Sequence, residues 1–416
     1  MGEKPARIVN LARRARLKAA KWRVWKWLRR MGLPLAILGG VALVSAIASL
    51  AYLGFSEALK VNINRQSAPI DVARLALAVA AGFGGLVALV VAYRRQKDLE
   101  EGRFIERFGA AAAQLGHTDV AVRMAGVYAM AGVADKARDE QRQQCIDVLC
   151  GYLRLPFSPE QGNNHQTQVI YRSSPIQGMA GTEEEKHFHY RQNDREVRQT
   201  IVRLVSSHLQ PEARPSWSEH DFNFTGAYLE TANFNGARFS GENTVFFAAT
   251  FGGGDTSFAG ARFSRANASF SRATFGGGKT TFAGAIFNCA NTSIDRVTFN
   301  GHNTSFEKTT FGGGETSFFN TTFRGDNTTF KEALFLGEKT GFEKVSFLGN
   351  STAFDQATFG GQETSFVGVD FGSGTVSFER PRKWAPAPVF GWEGDDPGGS
   401  KPENVKPADW PPEASC

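Results

Sequence analysis

Along this chain the large apolar residues keep three different rhythms, and each rhythm predicts a different kind of element. Two uncharged runs come first, Leu35 to Phe55 (21 residues) and Leu75 to Tyr93 (19 residues). Each is close to the ~20 residues a helix needs to cross ~30 Å of hydrocarbon. They predict a two-helix transmembrane hairpin within residues 33–95. From Asp98 to Arg154 the spacing becomes helical, with Phe104, Phe108 and Leu115, then Val122, Val127 and Met130, then Ile146, Leu149 and Leu153. Three helices follow from this. Gly116 ends the first, Thr118 and Asp119 cap the second, and Asp139 with Glu140 opens the third. A fourth helix is expected from about Asn193 to Leu209, with Val197, Ile201, Leu204 and Val205 on one face. The expectation is a small all-α, HEAT-like module over residues 98–210, interrupted by a Pro- and Gly-bearing loop at 156–186.

The third rhythm is the most regular. Large apolar residues stand at 224, 229, 234 and 239, and from there the spacing alternates seven and five as far as 378. Of these 27 centres 25 are Phe, the others being Leu229 and Ile294. So fixed a register is a physical repeat. Two places before each centre stands a small residue, as in Ala227, Ala232, Thr244 and Ala249, with Phe222 as the exception. Residues two apart on an extended strand point the same way. Each short strand should therefore bury one ring and one small side chain while the residue between them faces water. Nine of the twelve seven-residue intervals place Gly at the second position after the centre, as at Gly241, Gly277 and Gly301. A positive φ at these corners is the expected reason, since Gly adopts it at least cost.

Here the chain resembles the pentapeptide-repeat family, whose motif is a small residue followed two places later by a central Leu or Phe, recurring every five residues. Ala232 to Phe239 (ANFNGARF) fits that motif directly; beyond it the chain departs by adding two residues to every second repeat, giving Phe-centred 12-residue (5+7) double repeats. The resemblance implies a right-handed quadrilateral β-helix over 222–379. Faces of 5, 7, 5 and 7 would make a 24-residue coil, and a flatter 12-residue coil is the alternative. The order of basic segment, two apolar runs, helical region and Phe-rich repeat is similar to membrane-anchored members of that family, which implies an inner- or plasma-membrane protein.

Charge adds to that picture. Residues 1–30 hold eleven Lys or Arg against the single acid Glu3, whereas the whole chain is only +6. The basic segment 1–32, and Arg94, Arg95 and Lys97 after the second run, predict by the positive-inside rule a two-pass protein with both termini cytoplasmic. Trp22, Trp25 and Trp27 among Lys21, Arg23 and Lys26 suit either an interfacial helix on membrane lipid or a plain topology-setting flank. The last segment, 380–416, carries eight Pro and reads as a disordered tail.

Candidate chemistry is sparse. Cys145, Cys150, Cys289 and Cys416 have no metal-site spacing. His187 and His189 would share a strand face but have no third ligand. Gly276 to Thr280 (GGGKT) resembles the end of a phosphate-binding loop, yet Ala273 stands where that motif needs Gly, and equivalent repeats read GGGDT and GGGET. No catalytic, cofactor or metal residues are therefore expected, and no enzyme. The expected function is a membrane-tethered scaffold for an unidentified cytoplasmic protein partner. The alternatives are a signalling or stress-sensing component and a DNA-mimicking topoisomerase modulator. Mimicry needs dense negative charge, and 13 acids against 11 bases between Glu230 and Phe378 do not supply it; direct nucleic-acid binding is not expected either.

Overall fold

The computed structural model describes residues 69–160, 168–173, 184–190, 193–393 and 400–414. The chain divides into two bodies, residues 1–103 and 104–416. Helix α1 (Pro69–Leu115) runs for 47 residues. The apolar run at 75–93 is not a separate span but the front of this helix, which continues through Arg94, Arg95, Lys97, Asp98, Glu100 and Glu101. Among the described residues no helix is long and apolar enough to cross a membrane. The expected transmembrane hairpin and the two-pass placement are corrected on that ground. The run at 35–55 and the basic segment with its Trp residues lie outside the described residues.

In the second body, helices α2 (Val120–Lys136), α3 (Asp139–Arg154) and α4 (Asp194–His208) form the helical module. Asp119 caps α2 by accepting the backbone N–H of Ala121 at 2.7 Å, which satisfies one of the donors a helix start leaves free. Val127, Met130, Ile146, Leu149, Val197, Ile201 and Val205 are fully buried, the outcome that their 3.6-residue spacing dictates. Part of the expected loop at 156–186 is instead a two-stranded antiparallel hairpin, β1 (Gln168–Ser173) with β2 (Glu184–His189).

The repeat forms a parallel β-solenoid of about seven coils. Its period is settled by register: Thr274 pairs with Thr298, and Thr298 with Thr322, so one coil is 24 residues and the 12-residue alternative is excluded. The first coil is two residues shorter, because Phe222 pairs with Thr244. Each coil has four faces. The first is centred on the column Phe246, Phe270, Ile294 and Phe318, the second on Phe251, Phe275 and Phe299, the third on Phe258, Phe282 and Phe306, and the fourth on Phe263, Phe287 and Phe311. Rings stack along each column, as Phe306 on Phe330 at 4.8 Å and 3° and Phe258 on Phe282 at 5.0 Å and 2°. Neighbouring columns meet edge to face, as Phe251 with Phe258 at 5.8 Å and 77°, and so do opposite columns across the core, as Phe246 with Phe258 at 5.5 Å and 82°. Both are favoured aromatic geometries. The small residue two places earlier is buried beside each ring, including Ala249, Ala261, Thr280 and Thr304. The position takes Phe222 in the first coil and otherwise Ala, Thr or Val, so ring and small side chain share the interior along each column.

Most corners depart from the sequence expectation. Positive φ falls mainly in the five-residue intervals, at glycines such as Gly260 and Gly284 and at ordinary residues such as Arg272 (60°), Arg296 (54°), Lys308 (55°), Glu332 (57°) and Lys344 (58°); in the seven-residue intervals it occurs at Gly253 (72°), Arg265 (78°) and Gly372 (57°). At the other glycines of the seven-residue intervals Gly is required for a different reason, close approach. A Cβ at Gly301 would lie 2.4 Å from the carbonyl oxygen of Gly277, and one at Gly325 would lie 1.9 Å from that of Gly301. Where this Gly is replaced by Arg265 or Cys289, the chain does not make a separate corner. Strands Arg262–Ser269 and Ile286–Ser293 pass through it, which joins the fourth and first faces in one sheet.

The C-terminal segment is also built differently from its composition. Lys383–Trp384, Val389–Phe390 and Val405–Lys406 add strands to three columns. Trp384, Phe390 and Trp410 stack on or against Phe359, Phe366 and Phe378. The prolines around them lack the N–H that would invite another strand, so a segment read as a disordered tail closes the open end of the solenoid.

Candidate interaction surface

The helical module closes the other end. Trp217 is fully buried, stacks on His208 at 4.1 Å and donates its indole N–H to Asp135 at 3.0 Å. Gln143 clamps the first coil: it donates to the carbonyl of Asp221 at 2.8 Å and accepts the Asp221 N–H at 2.9 Å. Arg198, almost wholly buried, donates to the carbonyls of Tyr152, Leu153 and Leu155 at the end of α3, where helical carbonyls run out of helical partners. Burial lowers its pKa from the ordinary arginine value, with the Asp194 carboxylate at 3.8 Å acting the other way.

Beside it Arg195 holds Glu230, a carboxylate only 5 % exposed, in a bidentate pair: Nη2 donates to Oε1 at 2.7 Å, and Nε donates to Oε2. The hydrogen bond to Glu230 raises the arginine pKa. Removing Arg195 leaves the buried carboxylate alone, a loss moderated because 40 % of the arginine side chain meets water. Arg195→Ala should therefore cost about 2 kcal/mol in urea denaturation, and adding Glu230→Gln should recover part of it because the orphaned charge is removed. This cluster lines a small cleft with Phe157, Gln199, Val202 and Tyr228; its ion pair and the Arg198 hydrogen bonds tie α4 to the first coil and to the end of α3, which makes it a joint.

The residues singled out for chemistry are not brought together. His187 and His189 lie on β2; His187 contacts Glu185 at 3.2 Å and Gln168 at 2.6 Å. Among the described residues no group of three or more His, Cys, Asp or Glu could hold a metal ion. The GGGKT segment is a turn followed by strand Lys279–Thr281, with no helix after it to present backbone N–H groups to a phosphate. Burial pushes the thiols up, Cys145 and Cys289 to about 11 and Cys150 to about 12, so at neutral pH they stay protonated and are weak nucleophiles.

What the chain presents outward is ordered instead. One side chain per strand faces water at each rung, giving columns such as Thr250, Thr274, Thr298 and Thr322 on the second face. Amides stack at Asn243, Asn267 and Asn291, with side-chain hydrogen bonds of 3.0 and 3.2 Å. No family model, curated protein or solved structure matches the chain. The parallel coils and regularly spaced Phe are consistent with the pentapeptide-repeat fold.

The surface charge, balanced in total, is unevenly distributed. Residues 231–296 carry six Lys or Arg and three acids, whereas residues 297–379 carry five and ten. Sequence counting over the whole repeat averages this away. Splitting the count by coil would have exposed it.

Proposed function

We propose that this chain is a protein-interaction scaffold whose solenoid faces hold a partner. The observation carrying this reading is that the core is entirely internal and both ends are closed, while the outward side chains stand at fixed rungs. Side chains ordered by the fold lose little further freedom on binding, which removes one cost of association. A buried Phe column spanning successive coils keeps the faces from shearing, so a partner contacting several rungs meets a preset pattern.

The test is photo-crosslinking in the native host, with a diazirine amino acid placed singly at Ser317, Thr298, Ser305 and Thr310, one outward position for each face. A discrete protein adduct recurring from one or two adjacent faces is expected. Lack of an adduct from all four faces overturns the reading.

A further inference from the structure

In several columns of the solenoid, stacked charges are opposite in sign. Glu315 pairs in register with Lys339 and Lys339 with Glu363, the last two at 3.8 Å. Lys308 reaches Glu332 at 3.7 Å, and His302 reaches Asp326 at 3.1 Å, each across one coil. Such ladders neutralise themselves, since opposite charges directly across a strand pair attract and like charges repel.

The first coils of the fourth face stack like charges instead, as does the corner bearing Arg272 and Arg296. Arg238 and Arg262 are direct register partners in parallel strands, one rung or about 4.8 Å apart. Both are exposed, and neither has an ion pair among the described residues. Arg265, three residues further along the same strand, is held at a φ of 78° and stays exposed, its guanidinium 3.6 Å from Glu242. Three guanidiniums therefore share one strip with a single carboxylate. Like charges one rung apart repel, and an anion from outside relieves that repulsion.

From this we infer that Arg238, Arg262 and Arg265 form a docking strip for an acidic polypeptide segment. The inference rests on the scaffold reading and names its partner's chemistry. The planar guanidinium fork matches carboxylates in bidentate fashion, and the two free arginines a rung apart can each take one carboxylate of an extended chain. Nucleic acid fits less well. The strip's neighbours are Ser240, Ser264 and Ile286, so there is no aromatic platform on which bases could stack. Three cations also neutralise too few phosphates to hold a strand at physiological salt.

The experiment uses the full-length chain and fluorescence anisotropy with a labelled ten-residue glutamate-rich peptide, beside a labelled thymidine oligonucleotide, over a salt series. The peptide should bind more tightly than the oligonucleotide, and binding should weaken as salt rises. Arg238→Gln with Arg262→Gln should reduce peptide affinity at least tenfold. Arg324→Gln, an exposed arginine on a later coil, should leave it unchanged. The double variant removes a repulsion, so its thermal midpoint should not fall, and a folded variant is thereby assured. Equal affinity in the double variant, or tighter binding of the oligonucleotide, overturns the inference. The scaffold reading would survive either result as long as crosslinked adducts form.

Discussion

Phe306→Ala is expected to remove about 4 kcal/mol of stability, within the range for truncating a buried aromatic. The ring is fully buried and stacked on Phe282 at 4.9 Å and on Phe330 at 4.8 Å, while Phe299 and Phe318 meet it edge to face at 5.9 and 5.8 Å. No neighbour can move into the gap. Each of those rings is itself fixed by a partner one coil above or below, so the cavity persists and its lining loses contacts outright. Because a solenoid is held together by its nearest-neighbour interfaces, a weak central coil also divides the array. Chemical denaturation of the variant should show a lower midpoint together with a reduced slope, as the halves begin to unfold separately. Leu336→Ala supplies the contrast. That side chain is 46 % exposed, and its loss should change stability by no more than about 0.5 kcal/mol. An equal effect of the two substitutions would refute the stacked core as the source of stability.

The features legible in the sequence were those that repeat. Period, inward Phe and small-residue partner each recur many times, so chance cannot produce them, and the helical module was readable because its apolar spacing is strict. Four things were not legible, for physical reasons. The function of Gly in the seven-residue intervals depends on the carbonyl of the previous coil, 24 residues away, and a local reading of turn chemistry sees only φ. The segment after Phe378 has the composition of a disordered chain, but Trp384, Phe390 and Trp410 find a ready-made column end to stack on, and tertiary contact overrides composition. Between Gln168 and His189 the Pro and Gly signals outweighed two strands of six residues each, Gln168–Ser173 and Glu184–His189, which pair antiparallel. The run at 75–93 has the length and apolarity of a membrane span when taken alone; its context is a single mixed helix that continues to Leu115. Of the interaction surface, the arginine strip was invisible because Arg238 and Arg262 become neighbours only once the coil length is known.

Two alanines should separate the two kinds of glycine. Gly284 has a φ of 66° and open space where a Cβ would go. One and two coils later the same corner is occupied by Lys308 and Glu332 at φ of 55° and 57°, so a side chain is accommodated there. Gly284→Ala should therefore cost only about 1 kcal/mol, the price of a left-handed non-glycine residue. Gly325 makes no demand on φ. Its Cβ would instead fall 1.9 Å from the carbonyl oxygen of Gly301 and 3.0 Å from that of His302. Backbone atoms cannot rotate away as a side chain can. The coils would have to separate locally, stretching the ladder bond from Asn327 N–H to the His302 carbonyl, now 3.1 Å, and tilting the Phe323 ring off Phe299 and Phe347. A cost of about 3 kcal/mol or more is expected, at the upper end for overpacking a close-packed interior. Hydrogen exchange should localise it, with protection falling at Asn327 and Thr328 while amides of the first coils stay protected. The ordering of the two variants carries the argument: if φ governed these corners, Gly284→Ala would be the more damaging, and close approach between coils predicts the reverse.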